Sequence, residues 1–175
     1  GLYSLIAGQN HYCVHSHCFE PDPTTSRFLT KNIELNNAKN ISAHHYAIAD
    51  KRGQKQVSVN QYHSGSLSLD APSPAVKERY TVSIECVNAS DLSDIIPTTE
   101  QELIIKIDVE GYERVVIGEL LKCEFAQYIE HVYFEVGGSK ENIETSIDLL
   151  TKAGFVTLHH SNVFGHKNIH MVRSR

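Results

Sequence analysis

No C-x-x-C pair, no G-x-G-x-x-G loop, no basic excess and no apolar run of membrane-spanning length occurs in these 175 residues. A formal net charge of −5, from 16 Lys and Arg against 21 Asp and Glu, supplies no electrostatic footprint for a nucleic acid. Glu, Lys, Asp or His interrupts every apolar stretch, so none approaches the roughly 20 residues a transmembrane helix needs. The apolar residues from Leu2 to Ala7 lack the basic flank of a signal peptide. Cys13, Cys18, Cys86 and Cys123 therefore read as reduced, mostly buried thiols, and the expected compartment is the cytoplasm. The sequons at Asn40 and Asn88 are too short a pattern to carry weight. Internal repeats and low-complexity tracts are also missing. What is there is an ordinary globular composition, 41% hydrophobic and 21% charged, in a chain long enough for one domain with a substantial core.

Strand and helix patterns alternate along most of the chain. Cys13 to Phe19 reads as a strand. Asp22 is a good N-cap and Pro23 a good first helical residue for a helix whose apolar face is Phe28, Leu29, Ile33 and Leu35, ended by Asn36-Asn37. Ile41 to Ile48 is the next strand, stopped by Asp50-Lys51-Arg52-Gly53. Residues 54 to 87 predict an antiparallel excursion, with alternation around Val57 and Val59 and again at Tyr80, Val82 and Ile84. Between them lies a long loop holding Ser64 to Ser68 and Pro72/Pro74. Ser90 is expected to cap a short helix ended by Pro97. Leu103 to Asp108 predicts a strand and Val115 to Leu121 its helix. His131 to Val136 predicts another strand, and Ser139 opens a helix closed by Gly154. Phe155 to His159 and Ile169 to Val172 are joined too closely for a helical crossover, so they are expected to pair antiparallel. The expected class is a three-layer α/β sheet, mostly parallel, with an antiparallel C-terminal hairpin.

The chemistry concentrates at strand ends. Leu103-Ile104-Ile105-Lys106-Ile107 is a buried-strand pattern that runs into Asp108 and Glu110, after which Gly111 opens a helix. Glu20 closes the earlier strand in the same way. Acids at the carboxyl ends of parallel strands stand where open α/β sheets bind ligands, and two of them about ninety residues apart suggest a nucleoside-type ligand held across one sheet edge, with Glu20, Asp50, Asp108 and Glu110 expected along it. A plainer account is available at each position. Glu20 can be a strand-end acid beside a helix N-terminus, and Glu110 and Glu113 can be first-turn acids favoured by the helix dipole. His11, Cys13, His15 and His17 alternate and would share one face of a strand. No second cluster has ligand spacing, so no metal site is expected.

The terminal hairpin discriminates between families of this class. Dinucleotide dehydrogenases continue with parallel units, whereas class I methyltransferases finish on an antiparallel hairpin. Five segments in order, Phe19-Glu20-Pro21-Asp22-Pro23, Lys31 to Asn36, Ala47-Ile48-Ala49-Asp50, Gly65-Ser66-Leu67-Ser68 and Lys106 to Glu113, resemble the FkbM family of methyltransferases. The resemblance implies a Rossmann-like class I fold and transfer of a methyl group from S-adenosylmethionine, usually to a hydroxyl. It implies a small-molecule or glycan acceptor, with no nucleic-acid or membrane partner. By resemblance Glu20 and Pro21 hold the ribose, and Ala47 and Asp50 lie near the adenine. Gly1 is the last glycine of the loop that cradles the methionine part. Asp108 and Glu110 face the sulfonium and the acceptor. From their positions in the chain, His63 and Ser66 in the loop and Glu135 at the next strand end are the candidate acceptor contacts, a solvated loop histidine being the plainer account of His63. The family's first strand and most of its glycine loop lie outside residues 1–175, so the single domain is expected to be part of a longer polypeptide. The strands at 13–19 and 103–108, which would flank the absent one, are then not expected to pair with each other. Two other readings stay open from the residues alone: a nucleotide-dependent oxidoreductase, and a Rossmann-like binding domain without catalysis.

Overall fold

The structure, a computed structural model, describes residues 1–60, 79–97, 101–135, 139–163 and 166–174. The described residues fall in two compact units, Gly1 to Val87 and Asn88 to Ser174.

The first unit opens with α1 (Leu2–Gly8) and β1 (Ser16–Phe19), a strand three residues shorter at its start than expected. Helix α2 (Pro23–Leu35) begins as its sequence dictates: Asp22 Oδ1 accepts the Thr25 N–H at 2.7 Å, and Pro23 lacks an N–H that would have no partner there. Asn37 ends it in the left-handed region at φ 50°, which Asn tolerates. The expected apolar face was too wide. Leu29 is buried, but Phe28 and Leu35, one heptad apart, are 67% and 68% exposed. The inward stripe instead follows Ser26, Leu29 and Ile33 at i, i+3, i+7.

The strand expected at Ile41 to Ile48 is two strands. β2 (Ile41–His44) pairs parallel with β1, from Ser16 opposite Ile41 to Phe19 opposite His44. After a break at His45-Tyr46, β3 (Ala47–Ile48) pairs parallel with β5 (Arg79–Val87), which in turn pairs antiparallel with β4 (Gly53–Asn60). The break has a local cause: the His44 ring stacks on Phe19 while His45 Nε2 lies 3.1 Å from the Pro21 carbonyl oxygen. The antiparallel excursion is present, with Val57, Val59, Ile84, Cys86 and Val87 buried. Its predicted connecting loop lies outside the described residues.

In the second unit Asn88, not Ser90, caps α3 (Ala89–Ile95). Asn88 Oδ1 accepts from the Ser90 and Asp91 amides, and Asp91 Oδ2 accepts from the Asn88 amide, which completes a capping box. There follow β6 (Leu103–Ile107), α4 (Glu113–Leu120), a 3-10 turn at Glu124–Tyr128, β7 (Ile129–Glu135), α5 (Lys140–Lys152), β8 (Phe155–Val163) and β9 (His166–Arg173). The strand order is β6-β7-β9-β8, parallel between β6 and β7 and antiparallel thereafter. The terminal hairpin is thus present, with longer strands than expected. Ile107, Val132, Phe134, Ile169 and Met171 are buried in this sheet, and Val116, Ile117, Leu120 and Leu150 are buried on α4 and α5.

Arg173 ties this unit's loops to its last strand. Its guanidinium donates to the carbonyls of Ile129 (2.7 Å), Ala153 (3.3 Å) and Ala126 (2.6 Å) and lies 4.5 Å from the Phe155 ring centre. Among the described residues three ladders are parallel and three antiparallel, so the fold is a mixed α/β arrangement with five α-helices. No described helix is long and apolar enough to cross a membrane.

Candidate functional site

In the first unit the parallel pairing of β1 and β2 brings both strand ends to one edge. Glu20 follows β1 there, and its amide extends the ladder by donating to the His44 carbonyl at 3.0 Å. Glu20 Oε1 accepts from the Asp22 amide at 2.9 Å, so the carboxylate is held against the start of α2. Burial pushes the Glu20 carboxyl above the usual carboxylate range. The Asp22 amide opposes that shift and the Asp22 charge adds to it. Pro21 turns the chain between Glu20 and the fully buried Asp22.

The remaining candidates of this unit divide by burial. Ala47 is buried in β3 opposite Cys86, and the Ala49 amide donates to the Val87 carbonyl at 2.9 Å. Asp50 is exposed in the turn before Gly53, whose φ of 130° suits glycine. Gly1 is the N-cap of α1, and a Cβ added to it would fall onto the side chain of Leu29.

The alternating histidines form a packed cluster on the β1–β2 ladder. His15 Nε2 lies 2.9 Å from Ser42 Oγ, and His17 Nδ1 lies 3.0 Å from His44 Nε2, with the two rings stacked at 7°. Burial, with the neighbouring His15 and His44, lowers His17 to about 4. Burial, and then His15, also lowers His44. Neutral rings suit this contact, because one can donate where the other accepts. Among the described residues no group of three or more His, Cys, Asp and Glu is arranged to hold a metal ion.

In the second unit β6 delivers the motif. Lys106 Nζ donates to the Ile107 carbonyl at 3.0 Å and lies 3.5 Å from Asp108 Oδ2. Asp108 and Glu110 are exposed, and the chain turns sharply through Glu110 (φ 29°) and Gly111 (φ 93°). Glu113 points inward and is 2% exposed. Its Oε1 accepts the Gly111 amide at 3.1 Å and its Oε2 accepts from Asn142 Nδ2 at 2.6 Å. The three acids of the motif therefore divide, two outward at the strand end and one inward beneath the turn. Because β6 and β7 are parallel, Glu135 at the end of β7 shares an edge with Asp108. His63 and Ser66 lie outside the described residues.

The inward role of Glu113 with Asn142 escaped the sequence reading, which treated Glu113 as a first-turn acid. The available signal was Gly111 two residues before it, whose amide needs an acceptor.

The profile of the Methyltransferase FkbM domain matches residues 5–157, which include both Glu20 and the whole Lys106 to Glu113 motif. The chain belongs to the FkbM methyltransferase family. A curated protein named Methyltransferase 1, from Beauveria bassiana (strain ARSEF 2860), is 26% identical over 170 residues, covering 89% of this chain and 68% of its own length. No solved structure matches. Glu20 follows a strand of the β1–β2 sheet and Asp108 a strand of the β6-β7-β9-β8 sheet, so the described ladders do not place the two acids on the one sheet edge expected from the sequence.

Proposed function

We propose that this FkbM domain is an S-adenosylmethionine-dependent O-methyltransferase acting on a hydroxyl of a sugar or other small metabolite. The observation that carries the reading is the family match over residues 5–157 together with Asp108 and Glu110 exposed at the end of β6. The antiparallel hairpin of β8 and β9 supports a Rossmann-like class I sheet, and four cysteines without a disulfide support the cytoplasm as its compartment.

The donor set suits the cofactor. Glu20 is a half-buried carboxylate with one oxygen bonded to the Asp22 amide and further acceptor capacity for ribose hydroxyls. Pro21, Ala47, Asp50 and Gly1 complete the proposed cofactor contacts. S-adenosylmethionine, when bound, supplies an electrophilic methyl group on a cationic sulfonium. Asp108 and Glu110 favour that positive charge. They would also orient the acceptor hydroxyl, and one of the two would take up its proton as the methyl carbon passes from sulfur to oxygen, the C–S bond breaking and S-adenosylhomocysteine leaving as the neutral thioether. Glu135, His63 and Ser66 are the proposed acceptor contacts.

Calorimetric titration with S-adenosylhomocysteine tests the reading. One-to-one binding is the expected result. Binding of NAD or NADP in its place would make the chain an oxidoreductase, and binding of none of these would make it a non-catalytic domain.

A further inference from the structure

We infer that Glu113 and Asn142 form a buried acid–amide clasp that sets the turn presenting Asp108 and Glu110, making Glu113 a positioning residue and not a catalytic one. The claim that the turn is held for methyl transfer rests on the function proposed above.

The turn needs holding. Glu110 sits at φ 29° and Gly111 at φ 93°, and for a residue with a side chain this region is disfavoured. Glycine suits the conformation at Gly111, but Glu110 has no such freedom, so the turn needs a contact to hold it. Glu113 provides it from two residues beyond Gly111: Oε1 accepts the Gly111 amide at 3.1 Å, the peptide immediately after Glu110. Its other oxygen accepts from Asn142 Nδ2 at 2.6 Å, and Asn142 Oδ1 accepts the Arg114 amide at 3.4 Å. Both Glu113 oxygens act as acceptors, the pattern of an ionised carboxylate. Asn142 is itself placed by α5, where its amide donates to Ser139 Oγ at 3.2 Å. The motif turn is therefore tied to a second helix through one buried carboxylate. Glu113 sits beneath the turn and reaches the exposed acids through the Gly111 peptide.

The donor and acceptor pattern makes the clasp testable by exchange of partners. Glu113→Gln replaces one acceptor by a donor, which opposes the Gly111 amide or Asn142 Nδ2, or, if the Asn142 amide turns over, leaves Nδ2 facing the Arg114 amide. Asn142→Asp sets one carboxylate against another. Combining the two restores the pattern: the new amide at 113 accepts from Gly111 and donates to the new carboxylate at 142, which still accepts from Arg114.

Two quantities are read on each variant: hydrogen exchange at the Gly111 amide, and affinity for S-adenosylmethionine, whose cationic sulfonium is what Asp108 and Glu110 are proposed to face. Exchange at Met171, in the core of the sheet, monitors the fold. Each single variant is expected to speed Gly111 exchange and weaken binding by about tenfold, the size of one buried bond left unmade. Met171 exchange should stay near the parent rate, and the double variant should recover both quantities to within about threefold. Should a single variant fail to fold, Asn142→Ala trims the clasp from its half-exposed side and is expected to move Gly111 exchange in the same direction. The inference is overturned if Gly111 and Met171 exchange speed up together, if Gly111 exchange does not respond, or if the double variant gives no recovery. If the parent chain binds no S-adenosylhomocysteine, the proposed function fails, and the clasp then stands or falls on Gly111 exchange and its recovery alone.

Discussion

Replacing Arg173 by Ala removes one side chain that touches four separate places in the second unit. The guanidinium bonds to the carbonyls of Ile129, Ala153 and Ala126 and covers the Phe155 ring. A hydrogen bond from a charged donor is worth roughly 1.5–3 kcal/mol, and the ring contact adds roughly 0.5–1 kcal/mol. Adding these terms overstates the loss. The Ala126 carbonyl keeps the Ile129 amide as a second donor, the Ala153 bond is long at 3.3 Å, and water can reach a half-buried site. The expected destabilisation is about 2–4 kcal/mol, which lowers the thermal midpoint of a chain this size by roughly 5–12 °C. Urea unfolding followed by circular dichroism measures it, as a shift in midpoint at constant slope. Arg173→Lys keeps the charge but loses the planar fork, so it should lose more than half as much as the Ala variant. A Lys variant as stable as the parent, or an Ala variant within ~0.5 kcal/mol of it, would refute the reasoning, since surface substitutions commonly stay within that range.

Glu20→Ala should weaken S-adenosylhomocysteine binding more than it slows turnover of bound cofactor, because ribose contacts are made equally in ground and transition states. A kcat loss larger than the affinity loss would contradict that role. Since burial raises the Glu20 carboxyl, affinity in the parent should fall with decreasing pH through a midpoint above the ordinary carboxylate value, and in Glu20→Ala that fall should be absent. Asp108→Asn should reduce kcat with only a modest change in acceptor KM, read in steady-state kinetics once an acceptor is found. Stability should also respond to His17. Its folded value of about 4 lies below the ordinary 6.5, so between those pH values the unfolded chain takes up a proton that the folded chain refuses. Stability is therefore lost as pH falls through that window and levels off near its lower end. In a thermal melt series from pH 7 to pH 4, His17→Gln should flatten the slope.

Periodicity and capping chemistry were enough to place most elements. Asp22 with Pro23 starts α2, Ser139 starts α5, Gly154 at φ 88° closes it, and the short connection between the strand patterns at 155–159 and 169–172 produces the antiparallel hairpin. These are local devices, settled within a few residues by hydrogen bonding and backbone sterics. The strand-end acids Glu20, Asp108 and Glu110 were legible for the same reason, since a buried-strand pattern followed by a carboxylate is a local signal. Pairing is not local. Nothing in Ile41 to Ile48 says that its first half joins β1 and its second half β5, because both halves satisfy the same alternation. Which face of α2 turns inward, with Leu29 buried and Phe28 out, was likewise decided by what it packs against. The three acids of the motif show the division most sharply. Their order and spacing are in the chain, but Asn142, twenty-nine residues after Glu113, is what draws that carboxylate inward while Asp108 and Glu110 stay exposed. A hydrogen bond between two helices depends on their packing, and that packing exists only in the folded unit.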